Sequence, residues 1–79
     1  MKERIHVGRM ILAVQKAKRI KGAEMARLLN MTRVNWYSVV SRQSINSELL
    51  MEISVAMEHD FFDDISRIIN GRNDNDNGI

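Results

Sequence analysis

The chain has 79 residues, a net charge of +2 and 44% hydrophobic residues, which bounds it to one domain with little core to spare. It has no cysteine, which excludes a disulfide framework, a thiolate metal site and a thiol nucleophile. Its apolar runs are too short to cross a bilayer, and its N-terminus lacks the apolar core of a signal peptide, so a soluble cytoplasmic protein is expected.

Val7, Met10, Ile11, Val14 and Ala17 recur at helical spacing and mark a first amphipathic helix within residues 5–20. Lys16, Lys18, Arg19 and Lys21 crowd its C-terminal end, where cations complement the helix dipole. Gly22 punctuates, and Ala23–Asn30 is predicted as a second helix, with Asn30 able to adopt the left-handed stop. Met25 and Leu29 share one face of it, and Ala26 is small enough for another helix to cross closely. After the turn Leu29-Asn30-Met31, Thr32 caps a third helix, Arg33–Arg42. Trp36, Val39, Val40 and Gln43 fall on its inward side. This short pair suits a helix-turn-helix, whose second helix can be offered to the DNA major groove. Gln43-Ser44-Ile45 connects to a fourth helix capped by Asn46, with Glu48 in its first turn and Leu49, Leu50, Ile53, Ala56 and Met57 inward. His59-Asp60 breaks the chain. A short fifth helix, capped by Asp60, carries Phe61, Phe62, Ile65, Ile68 and Ile69 and stops at Asn70-Gly71. Residues 71–79 read as a disordered polar tail behind a domain of residues 1–70.

The net charge hides an asymmetry. Residues 1–45 carry ten Lys/Arg and two acids, +8, whereas residues 46–79 carry two Arg and eight acids, −6. A basic half suits a polyanion; the bland account is that the two halves attract each other within the fold.

Few residues suggest other chemistry. The run from Asn73 to Gly78 imitates the start of a calcium loop but lacks the later Glu and the exit helix. His6 and His59 have no second ligand at helical spacing and read as surface or capping residues. Asp63 and Asp64, being adjacent on a helix, do not face each other. No catalytic set, phosphate loop or zinc spacing occurs, so neither an enzyme nor a cofactor is expected. The third helix differs. Its outward face of Arg33, Val34, Tyr37, Ser38, Ser41 and Arg42 lies in a stretch, Met25 to Ser47, without one acid. It offers a guanidinium for guanine, an apolar group for a thymine methyl, and hydroxyls for base edges or phosphate.

Glu24 to Tyr37 (EMARLLNMTRVNWY) and Ser44 to Met57 (SINSELLMEISVAM) resemble the Cro/phage-repressor type of bacterial helix-turn-helix regulators, the Xre-like family. Arg33–Tyr37, Ser44-Ile45 and Asp60-Phe61-Phe62 resemble its very short single-domain members, and the likeness covers about residues 5–69. It implies a five-helix, lambda-repressor-like all-α fold and sequence-specific binding of double-stranded DNA as a small transcriptional regulator, a repressor. By position, base contacts fall on Arg33, Val34 and Ser38, with Asn35 and Tyr37 beside them. Phosphate contacts fall on Lys21, Gly22, Ala23, Thr32, Arg42, Gln43 and Ser44. The resemblance further implies a homodimer on a palindromic site. The fifth helix (Phe61, Phe62, Ile65, Ile68, Ile69) is the candidate seam, or else it only closes the monomer core. Three departures stand out: Lys21 and Gly22 replace the family's usual Ser/Thr and bracing Gln, Asn30 replaces a turn glycine, and Trp36 replaces Ile/Val. The indole N–H then needs solvent or a carbonyl. Two alternatives remain: an antitoxin-like DNA binder that also holds a protein partner through its acidic half, and a helical interaction module without DNA binding.

Overall fold

The first apolar stripe folds into α1, Val7–Ala17, in a computed structural model that describes the backbone of residues 5–77 and the side chains of residues 5–71. Four helices follow: α2, Gly22–Leu28; α3, Arg33–Val40; α4, Ser47–Met57; and α5, Phe61–Asn77. No strand occurs among the described residues, so the chain is all-α, as its periodicity predicts.

Polar side chains start four of these helices. His6 Nδ1 accepts the Arg9 N–H at 3.1 Å and Thr32 Oγ1 that of Asn35 at 3.1 Å. Asn46 Oδ1 accepts the Leu49 N–H at 2.8 Å and Asp60 Oδ1 that of Asp63 at 3.0 Å. Each satisfies a donor that a helix start leaves unpaired, typically worth about 1 kcal/mol. Three helices stop in one way, through a left-handed residue at Arg19 (φ 59), Asn30 (φ 58) or Glu58 (φ 55). The next N–H then bonds five residues back: Ile20 to the Gln15 carbonyl at 3.0 Å, Met31 to Ala26 at 2.8 Å, and His59 to Ser54 at 3.0 Å. This is the Schellman closure, most often built on glycine. Lys18 adds a cation at the end of α4, its Nζ donating to the Met57 and Glu58 carbonyls at 3.0 and 3.2 Å, where the helix dipole favours positive charge.

The start of α1 is fitted against the end of α3. Val7 and Gly8 donate their N–H groups to the Gln43 and Arg42 carbonyls at 2.9 and 3.0 Å. A Cβ on Gly8 would lie 2.1 Å from the Val40 carbonyl oxygen and 2.6 Å from that of Arg42. Only glycine permits this backbone-to-backbone approach. The junction also explains why α3 ends at Val40 and not at the predicted Arg42, since the carbonyls of Arg42 and Gln43 are turned to α1. Gln43, expected to point inward, is exposed in the connector.

Every helix contributes to one core. Ile11 from α1, Met25 from α2, Trp36 from α3, Ile53 and Met57 from α4 and Phe61 from α5 are fully buried, and no polar or charged residue is buried among the described residues. At the far end, α5 continues past the predicted stop at Asn70-Gly71. Neither residue adopts positive φ, and a Cβ at Gly71 would meet nothing within 4 Å, so no contact forces a turn there. The side chains of residues 72–77 and all of residues 78–79, the rest of the expected polar tail, lie outside the described residues.

Two substitutions test these features. Gly8→Ala forces the end of α3 away from α1 and should cost about 2–4 kcal/mol through overpacking and weakened backbone bonds. An unchanged denaturant midpoint would show that the two helix ends do not meet. Glu58→Gly removes the left-handed penalty and should raise stability by about 0.5–1 kcal/mol, net of the extra chain entropy of glycine, read as a higher unfolding midpoint at unchanged m-value.

Candidate nucleic-acid interface

The α3 sequence divides cleanly between its two sides. Trp36, Val39 and Val40 are buried, whereas Arg33, Val34, Asn35, Tyr37 and Ser38 are exposed, Val34 at 75%. The residues predicted to read bases are thus brought together on one solvent-facing surface. Arg42, Gln43 and Ser44 follow it in the exposed connector. The Ser41 hydroxyl is already engaged, donating to the Ser38 carbonyl at 2.7 Å. The Thr32 oxygen caps α3 and retains its proton for donation.

Trp36 fixes this surface from behind. Its ring is fully buried, and its Nε1–H donates to Gln15 Oε1 of α1 at 3.1 Å. The carbonyl that the indole requires is therefore a side-chain amide two helices away in sequence. Gln15 lies four residues after buried Ile11, beside the inward stripe; a buried indole seeking an acceptor was the available signal for it.

Gly22 proves to be the first residue of α2, not a spacer before it, and Lys21 is the N-cap without a side-chain cap bond. A Cβ at Gly22 would stand 3.2 Å from Tyr37 Oη and 3.5 Å from Trp36 Cδ1. Gly22 at the start of α2 therefore lies beside both aromatic side chains of α3, one buried and one exposed.

Among the described residues no ion pair joins the basic half to the acidic half: Arg67 Nε pairs with Asp63 Oδ2 at 2.9 Å and His59 Nε2 meets Asp64 Oδ2 at 2.5 Å, both within the acidic half. Arg33 and Arg42 take part in none. Asp63 and Asp64 have separate partners, consistent with neighbours that do not face each other. His6 is a helix cap, and His59 also packs on Phe61 with ring centroids 4.7 Å apart. Among the described residues no three His, Asp or Glu side chains gather as a metal site.

The α5 residues expected either to form a seam or to close the core divide between the two places. Phe61 is fully buried and Ile65 packs partly against the core; an i, i+4 pair facing inward offers little or nothing to a second chain. Phe62, Ile68 and Ile69 remain exposed. No helix is long and apolar enough to cross a membrane among the described residues. Compared with protein-family models, curated proteins and solved structures, the chain matches none.

The Trp36–Gln15 bond is open to direct measurement. Gln15→Leu leaves a buried indole N–H without an acceptor and should cost about 1–3 kcal/mol. The same change made on a Trp36→Phe background should be close to neutral. Equal costs in both backgrounds would show that the bond contributes nothing.

Proposed function

We infer that the chain is a sequence-specific double-stranded DNA-binding regulator in which α2, the four-residue turn and α3 act as a helix-turn-helix, with a lambda-repressor-like arrangement of its helices. The observation that carries this reading is the exposed, acid-free side of α3, anchored from behind by Trp36. Laid in the major groove, it presents Arg33 to a guanine, Val34 to a thymine methyl, and Asn35, Tyr37 and Ser38 to neighbouring edges. Lys21, the backbone at Gly22, Thr32, Arg42, Gln43 and Ser44 would meet the flanking phosphates and set the register without reading sequence.

One small module buries a modest interface, so high specificity calls for two copies on a palindromic site, with recognition helices about one DNA turn, roughly 34 Å, apart. The exposed Phe62, Ile68 and Ile69 of α5 are the surface for that pairing. Occupancy of such a site would act as repression. The reading places the protein where DNA is, in the bacterial or phage-infected cytoplasm.

Selection of bound sites from random DNA, read at two salt concentrations, tests binding, specificity and symmetry together. Arg33→Ala should relax preference at one position by about 1–3 kcal/mol, the worth of a bidentate guanine contact. An unchanged selected motif would remove Arg33 from base reading. Arg42→Ala should instead weaken all sequences alike and reduce the slope of log K against log salt by about 1. An unaltered slope would remove Arg42 from the phosphate contacts.

A further inference from the structure

The proposed DNA surface leaves another exposed surface unused, on α2 and α4. Leu28 is 53% exposed, Met51 56% and Val55 74%, and they line one open groove of about 490 Å³ together with Glu52. Solvent-facing helix positions are normally polar, and three large apolar side chains converging on one groove mark an interaction surface. The acids around them have a pattern. On α4, Glu48, Met51, Glu52 and Val55 follow i, i+3, i+4, i+7 spacing, so acid and apolar groups alternate along one stripe. On α2, Glu24 stands one turn before Leu28 on the same face. Among the described residues no ion pair engages Glu24, Glu48 or Glu52. Arg27 is the one cation on either helix, and it is about 100° round α2 from Leu28.

We propose that this groove docks a cationic amphipathic helix of a partner protein, whose apolar side chains cover Leu28, Met51 and Val55 while its Lys and Arg residues meet Glu24, Glu48 and Glu52. An apolar floor asks for the anchors that helices present at i, i+3/i+4 and i+7, and acids along the stripe select positive charge on the incoming face. A second copy is a poorer occupant. A two-fold contact repeats the same patch on both sides, which brings the acids of one copy against those of the other. No groove residue belongs to α3, so the docked helix does not use the base-reading side chains, and the proposal stands independently of DNA binding.

A display library of random peptides about 16 residues long, roughly four helical turns, selected against the full chain tests it. Recovered peptides should combine helically spaced apolar residues with Lys or Arg. Their affinity should fall about tenfold or more for Glu48→Lys/Glu52→Lys and be lost for Met51→Asp/Val55→Asp. All four side chains are exposed, so each double variant should stay folded, with Glu48→Lys lowering the unfolding midpoint only by the loss of a first-turn acid. Recovery of no peptides, of peptides without basic residues, or of peptides indifferent to both variants overturns the proposal. So does a dimer in sedimentation that Val55→Asp dissociates and Ile69→Asp does not, because the groove is then covered by a second copy.

Discussion

The contact on which the rest of the structure depends is the backbone junction between the start of α1 and the end of α3. A helix start leaves N–H donors unpaired and a helix end leaves carbonyls unpaired. Here the two deficits cancel, with Val7 and Gly8 donating to Gln43 and Arg42. The arrangement also brings the positive end of one helix dipole to the negative end of another. A side chain at residue 8 would hold them apart. Because α3 is held at its C-terminal end by this junction and along its buried side by Trp36, its outward side chains are presented on a rigid support. Preorganisation of that kind lowers the ordering cost of any contact that they make.

How much of this was legible in the sequence depends on whether the cause was local. Caps were legible because Thr32, Asn46 and Asp60 act within three residues of themselves. The inward side of α3 was legible because helical periodicity needs only the spacing of Trp36, Val39 and Val40. Asn30 could be identified as a stop because its side chain tolerates the left-handed region. Arg19 and Glu58 could not, since nothing in either residue favours that conformation, and the closure is imposed by what the next residue packs against. Gly8 was overlooked for the same reason: the carbonyls that exclude a Cβ come from residues 40 and 42. The end of α5 was misjudged in the other direction. Asn-Gly is a stop signal only where a turn is rewarded, and a Cβ at Gly71 would meet nothing within 4 Å.

The candidate site follows the same division. Exposure of Arg33, Val34, Tyr37 and Ser38 was readable from the period of a single helix. The meaning of Gly22 was not. Taken alone it reads as a missing amide at the start of α2. In the structure it is the residue that Tyr37 and Trp36 of α3 approach, a Cβ there standing 3.2 Å from Tyr37 Oη and 3.5 Å from Trp36 Cδ1. A departure from a pattern is therefore better judged by the volume around it than by the residue type that it replaces. Phe61 shows the limit of an apolar count: of the five large apolar residues on α5, Phe61 is fully buried in the core and Ile65 packs against it, while Phe62, Ile68 and Ile69 stay exposed.

Charge segregation gains weight from the way the fold is held together. Had the basic and acidic halves been joined by ion pairs, the asymmetry would have been internal and would have implied nothing about partners. Among the described residues the core instead contains no charged or polar residue, the Arg67–Asp63 and His59–Asp64 contacts are local to the acidic half, and Lys18, which reaches from the basic half to the end of α4, donates to backbone carbonyls and not to an acid. Exposed ion pairs contribute little to stability in any case, about 0–1 kcal/mol each, so a fold of this size loses little by leaving its charges unpaired. What remains on the surface is the acid-free side of α3 in the basic half, and an apolar groove that α2 and α4 line together across the two halves. On the proposed readings the first surface suits a polyanion and the second a cationic helix, and because no residue of α3 lines the groove, engaging one would leave the charges of the other in place.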